Sequence, residues 1–216
     1  RLSQLDKYAL VSFSDSHSFW PWRMGRENTI FDIKPEYKEL ITAIRQNEIV
    51  ETIEVDPSYG KYHLDGHRNC KVVMTPSESK KHDDLCPVCK KPLTVGVLHR
   101  VEELADRAEG FKPKTANSFR RVMPLSEIIG AVLGKAVATK SVWTEYYKLV
   151  KSDRSEYDVL LSLSFEELKK LVTEELAKAV MLNREGKINV KPGYDGEYGV
   201  PIIKIGKRQK GLGDFT

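Results

Sequence analysis

The balance of apolar and polar positions divides the chain into four regions of different character. Residues 8–13 (Tyr-Ala-Leu-Val-Ser-Phe) form the first apolar run, closed by the polar residues Ser14, Asp15, Ser16, His17 and Ser18. A run this short predicts a buried strand that exits into a loop. Pro35 suits the first turn of a helix, and Tyr37, Leu40, Ile41 and Ile44 recur at helical spacing, so a helix is predicted to about Asn47. Glu51, Thr52, Ile53, Glu54 and Val55 alternate as a half-buried strand does. Strand, polar turn, helix and strand over residues 1–57 is the order of an α/β barrel or sheet.

Residues 58–97 break this pattern, with few apolar positions. Residues 98–182 restore it as helix. Leu98, Val101, Leu104 and Ala105 make one face, Leu125, Ile128, Ile129 and Leu133 a second, and Val142, Tyr146 and Leu149 a third. Ser164-Phe165-Glu166-Glu167 reads as a capping box ahead of Leu168, Leu171, Val172 and Leu176, with Gly186 as the stop. Residues 112–121 between the first two helices are basic and polar and contain no acid. The chain then reads as a short strand from Ile188, a turn at Gly193-Tyr194-Asp195-Gly196, a strand near 200–205 and a basic tail. No internal repeat is present.

Composition narrows the class. The chain has 216 residues, 40% hydrophobic and 31% charged, which suits a globular protein with a real core rather than a disordered one. No run of about 18 apolar residues exists to cross a membrane. The formal net charge of +4 is compatible with nucleic acid without demanding it. Position 1 is Arg rather than Met and no signal-peptide pattern opens the chain, so a piece of a longer polypeptide is expected. Three cysteines, two of them in Cys86-Pro87-Val88-Cys89, point to a metal in a reducing compartment, hence the cytoplasm, rather than to disulfides.

The strongest chemical signal lies where apolar residues are fewest. His67-Arg68-Asn69-Cys70 and Cys86-Pro87-Val88-Cys89 are two ligand pairs, each with two residues between its members, set 15 residues apart. That is the spacing of a zinc ribbon, in which two tight turns each offer two ligands to one tetrahedral ion. A segment with seven basic and four acidic residues between 61 and 91 builds little core of its own. A Zn2+ ion closing it supplies the missing stability, and four protein ligands make the ion structural. His63 and His82 are the alternatives for the fourth ligand; His67 is preferred because its offset from Cys70 equals that of Cys86 from Cys89.

Asp15 and His17 follow the first predicted strand and point the same way in extended chain, so a carboxylate and an imidazole reach one site. On spacing alone the pair reads first as a turn closed by an Asx hydrogen bond. A family resemblance adds to this. Phe13-Ser14-Asp15-Ser16-His17-Ser18, followed by Trp22-Arg23-Met24-Gly25-Arg26-Glu27, resembles the last metal-binding motif of PHP-family phosphoesterases. More narrowly, it resembles the Ser-Asp-Ala-His and Leu-Gly-Arg-Glu stretch of the endonuclease Q family. The resemblance continues through residues 62–70, the Cys86–Cys89 pair, and residues 96–107, 122–129 and 192–199, nearly the whole chain.

The resemblance implies the carboxyl-terminal half of a DNA repair endonuclease that nicks 5′ of deaminated bases (uracil, hypoxanthine, xanthine) or abasic sites. It implies Asp15 and His17 as the last catalytic ligands for divalent metals (Mg2+, Mn2+ or Zn2+). The remaining ligands would lie in an N-terminal PHP half, so this chain alone should be inert or very weak. The expected fold is α+β. Residues 1–57 would be the end of a PHP-type α/β barrel, 58–97 a zinc ribbon, and 98–206 a mostly helical DNA-recognition domain with a small terminal hairpin. Residues 207–216 would form a basic tail.

Candidate DNA contacts follow from charge and shape. Arg23 and Arg26 are placed to hold phosphate oxygens, and Arg120 and Arg121, with Lys112 and Lys114, to track the backbone. Trp20, Trp22, Tyr194 and Tyr198 are candidate walls for an extruded base. Gln209, Leu212 and Phe215 in the tail resemble a sliding-clamp-binding peptide, with Thr216 where a second aromatic is usual. The alternative to the nuclease is a non-catalytic zinc-ribbon module that binds nucleic acid or a protein partner.

Overall fold

The computed structural model describes residues 1–20 and 23–203. Residues 8–13, the predicted first strand, form no strand. A strand needs a ladder partner for its backbone groups, and here the segment has one side-chain tie in its place. Ser12 N donates to Thr29 Oγ1, and Thr29 Oγ1 donates to Ser12 O, both at 2.9 Å. Tyr8, Leu10 and Phe13 are more than half exposed.

The first strand is instead β1 (Asn28–Ile30), followed by α1 (Tyr37–Gln46) and β2 (Glu51–Glu54). Asn47 ends α1 in the left-handed region, one residue past the helix, as a C-terminal cap does. The ribbon region contributes β3 (Asp65–His67) and β4 (Val72–Met74), paired antiparallel, and the short α2 (Pro76–Lys80). Next come α3 (Val97–Leu104) and β5 (Ser118–Arg121).

β5 corrects the reading of residues 112–121 as simply a basic connection. It lies parallel to β2 with Glu51 opposite Ser118 and Glu54 opposite Arg121, while β1 lies antiparallel on the other side of β2. The sheet is three-stranded in the order β1-β2-β5, mixed and open. Among the described residues no strands close into a barrel, so the expected barrel end is a small open sheet. β5 also carries residues 98–206 into the same sheet as residues 1–57.

The helical lobe follows the apolar periodicity closely. α4 (Leu125–Leu133) and α5 (Lys140–Leu149) bury most of the predicted faces, with Leu125, Ile128, Ile129, Val142, Tyr146 and Leu149 inside, while Leu133 at the end of α4 is exposed. Residues Asp158–Ser162 form a single π-helical turn that the periodicity did not announce. The capping box opens α6 (Phe165–Leu171) as predicted: Ser164 and Glu167 exchange side-chain-to-backbone hydrogen bonds.

The helix expected to continue to Gly186 breaks at Val172, which is extended. Thr173 then caps α7 (Glu174–Arg184) by accepting from Leu176 N. β6 (Asn189–Lys191) and β7 (Val200–Ile202) form the terminal hairpin. One core joins Ile53 of β2 to Leu125, Ile128, Leu160, Leu168, Ala177 and Val180 of the helices. No helix among the described residues is long and apolar enough to cross a membrane.

Candidate functional site

The two knuckles are built alike. The chain after Cys70 turns through Lys71 at φ 55°, and after Cys89 through Lys90 at φ 62°. Lys90 N donates to Cys86 O and Cys86 N to Lys91 O, both at 2.8 Å, which closes the second turn on itself. His67, Cys70, Cys86 and Cys89 converge so that their ligand atoms lie within 4.8 Å of one another, and Cys89 Sγ is 3.5 Å from His67 Nδ1. A Cys3His set this tight matches the donor chemistry of one tetrahedral zinc. His63 and His82 are outside the cluster.

The thiols feel one another. Burial and the neighbouring Cys89 and Cys86 push Cys70 up to about 11. Burial also opposes ionisation of Cys86, yet the Cys89 and Val88 amides, then Cys89 and His67 side chains, hold it near about 6. A bound cation would favour the thiolate forms.

Polar staples fasten this unit to the chain around it. Asp65 is fully buried: Oδ1 accepts from Gly96 N at 2.7 Å and Oδ2 lies 2.7 Å from His99 Nδ1 of α3. The Asp65 hydrogen bond raises the pKa of His99, against the opposing effect of its burial. Asp84 lies close to both but accepts from Ser79 Oγ. These oxygens are engaged by the protein itself, and the trio reads as a structural clasp.

The turn after β6 forms the other staple. Asp195 accepts from Arg68 N and from Thr94 Oγ1, both at 2.6 Å. The Tyr194 ring sits over Gly66, where any Cβ would lie 2.4 Å from Tyr194 Cδ2. Only glycine permits that approach. Tyr194, expected against DNA, is thus only 8% exposed and packs on the ribbon, whereas Tyr198 is 54% exposed.

Asp15 and His17 are exposed in an irregular turn. Asp15 has φ 44°, left-handed backbone that a non-glycine residue rarely adopts. His17 Nδ1 lies 2.7 Å from Asp15 O. A histidine whose Nδ1 donates to a backbone carbonyl offers Nε2 to a metal, the usual arrangement around metal-ligating imidazoles. Among the described residues, no converging group of three or more metal-donor side chains includes Asp15 or His17.

Beyond this turn, Gly25 N donates to Ser14 Oγ at 3.3 Å. Arg23 and Arg26 are half-buried and face Glu127 of α4, which hydrogen-bonds the Tyr59 hydroxyl. Burial raises the Glu127 pKa despite that bond and the two arginines. Glu156 is raised likewise by burial, although it accepts from Tyr146 Oη and Leu125 N, both at 2.7 Å. A cavity of about 320 Å³ opens between Met24, Gly25 and Arg26 on one side and Tyr146, Glu156 and Tyr157 on the other.

Buried Glu127, half-buried Glu156 and the Asp65–His99 clasp were missed from sequence. The available signal was an acid inside the otherwise apolar face of α4.

The remaining candidates are dispersed. Arg120 pairs with Glu51 across the sheet, and Arg121 lies 3.2 Å from Asp56. Lys112 and Lys114 are exposed, and Trp20 stacks on Phe19 at 4.9 Å. Trp22, Gln209, Leu212 and Phe215 lie outside the described residues.

Comparison with known proteins adds the following. A family model described as the MJ0043 C-terminal domain matches residues 124–187. Protein MJ0043 of Methanocaldococcus jannaschii is 34% identical over 204 residues, which cover 92% of this chain and 26% of that protein. Protein YqxK of Bacillus subtilis is 29% identical over 203 residues, 92% of this chain and 48% of its own.

Among solved structures, the lesion-specific endonuclease PfuEndoQ from Pyrococcus furiosus is 33% identical with a TM-score of 0.83, over 94% of this chain and 51% of that one. Endonuclease Q in complex with a 27-mer duplex carrying an abasic lesion at the active site is 31% identical with a TM-score of 0.84, over 100% of this chain and 55% of that one. The chain therefore spans from a quarter to about half of the proteins it matches.

Proposed function

We propose that this chain, similar throughout to part of endonuclease Q, is the carboxyl-terminal half of a metal-dependent DNA repair endonuclease. The observation that carries the reading is joint likeness in sequence and fold: 33% identity with a TM-score of 0.83 over 94% of the chain. In this reading the enzyme nicks 5′ of abasic sites and deaminated bases, and the chain supplies lesion recognition and the last catalytic ligands. Partners are damaged DNA, an N-terminal PHP half holding the other ligands, and a sliding clamp at Gln209, Leu212 and Phe215.

The ribbon carries a structural Zn2+ on His67, Cys70, Cys86 and Cys89. Divalent ions (Mg2+, Mn2+ or Zn2+) at a PHP site neutralise charge developing on the phosphate and activate water. Toward them, Asp15 offers a carboxylate oxygen and His17 its Nε2. Arg23 and Arg26, a few residues after the turn in sequence, would hold phosphate oxygens, and Glu127 balances part of their charge. Arg120 and Arg121 reach the DNA backbone only by sharing their acids Glu51 and Asp56, so their contribution is modest.

The test is strand nicking. The full-length protein with manganese or magnesium should cut DNA containing an abasic site or uracil, and Asp15→Ala should lower the rate by at least about a hundredfold. Cutting that survives Asp15→Ala at the parent rate removes the catalytic reading of this turn. A non-catalytic zinc-ribbon binding module is the second reading, favoured by one observation: the Cys3His cluster is complete while the 15–17 turn holds two donors. Equal affinity for damaged and undamaged duplex would support it.

A further inference from the structure

The segment that follows Asp15 and His17 is tied to the helical lobe at Gly25. Tyr157 stands immediately before the π-helical turn Asp158–Ser162. Its hydroxyl donates to Gly25 O and accepts from Asn28 Nδ2, which also donates to Gly25 O at 3.2 Å. Gly25 takes φ 65°, a conformation open to glycine, and its N–H reaches Ser14 Oγ. Ser14 is next to Asp15 in sequence. Hydrogen bonds on both sides of Gly25 therefore link the helical lobe to Ser14, the neighbour in sequence of the left-handed residue that bears the carboxylate.

The far end of this link is rigid. Arg184 of α7 donates to three backbone carbonyls of the π turn and its exit: Leu160 O at 2.8 Å, Val159 O at 3.2 Å and Leu163 O at 2.8 Å. A π turn leaves such carbonyls without regular helical partners, and the guanidinium satisfies them. The tyrosine is thus held by packed structure, while Asp15 and His17 are exposed. Burial and the nearby Glu156 also push the Tyr157 hydroxyl up to about 12, so it keeps its proton at neutral pH.

We propose that Tyr157 is a positioning residue that sets the geometry of the Asp15–His17 turn from the helical lobe through Gly25. The proposal rests on the reading of Asp15 and His17 as metal donors. A turn with backbone strain at its ligand needs outside support to stay in place. Groups behind metal ligands commonly decide affinity by fixing ligand orientation.

The experiment makes Tyr157→Phe in the full-length protein, with Asn28→Ala as a second variant. Amide hydrogen–deuterium exchange over residues 14–26 is read with no divalent ion added. The manganese concentration for half-maximal nicking of abasic-site DNA is read separately. Exchange should quicken about fivefold in both variants, the worth of one hydrogen bond. The manganese requirement should rise about tenfold, with zinc content and duplex affinity unchanged. Unaltered exchange and manganese requirement would overturn the proposal, and so would loss of protection spread evenly over α4–α7. Should the parent protein fail to nick DNA, the endonuclease reading falls, while the exchange measurement still decides whether Tyr157 holds the turn.

Discussion

The ribbon knuckles and the turn at 15–17, proposed as a second metal site, are built in opposite ways. The knuckles are complete, with all four ligand atoms from one short stretch and Cys86 fully buried. Around them lie few apolar contacts and many polar clasps: Asp65 with His99, Asp195 with Arg68 and Thr94. The Asp15 turn is exposed, has two donors, and is linked through Gly25 to a well-packed helical lobe. A structural site closes on itself; a site that meets substrate keeps coordination open and borrows its rigidity from elsewhere.

The largest break in this comparison comes from Cys86→Ser. Structural zinc contributes on the order of 10 kcal/mol to small ribbon folds. Amide protection over residues 62–94 should vanish in that variant, or in the parent with a strong chelator, while α4–α7 stay protected by their own apolar core. A ribbon that keeps its protection without metal would show that the polar clasps alone suffice.

The next effect is pH-dependent and concerns the clasp. His99 faces Asp65, Asp84 and Glu103, with Lys80 opposing, and the net result raises its pKa in the folded chain from 6.5. The resulting stabilisation is fully present below pH 6.5 and is lost as pH rises through the higher folded value. Melting of the zinc-loaded ribbon should therefore move to lower temperature on going from pH 6 upward. In Asp65→Asn that slope should flatten, and overall stability should drop by about 3 kcal/mol, as when one partner of a buried pair is removed. An equal pH slope in parent and variant would sink the assignment.

The smallest effect separates a surface ion pair from a DNA contact. Arg120 pairs with Glu51 at a partly exposed site, so Arg120→Ala should cost less than about 1 kcal/mol of stability. If Arg120 also touches a phosphate, the dependence of duplex affinity on salt should weaken by about one counterion. A salt slope identical to the parent's would leave Arg120 with the sheet alone.

Much of this was readable along the chain. Helices α4, α5 and α6 follow from apolar spacing and the Ser164–Glu167 box, because those signals are local and one face must be buried. The knuckles were readable because a tetrahedral ion restricts spacing. Residues 8–13 misled because an apolar run states a preference for burial, not the presence of a ladder partner. β5 was hidden because Ser118-Phe119-Arg120-Arg121 looks like a solvated basic stretch. Its strand character comes from β2, distant in sequence, whose Glu51 neutralises one of the arginines.

The amino-acid order by itself determined helices α1, α4, α5 and α6 and which four side chains converge as a candidate metal site, since both depend on neighbours within a few turns of chain. Only the folded arrangement decided that Tyr194 lies under the ribbon and that Tyr157 grips Gly25. It likewise decided that Glu127 sits buried near Arg23 and Arg26. Those pairings join residues far apart in sequence, and the low dielectric and close packing that make them strong exist only once the lobes have come together.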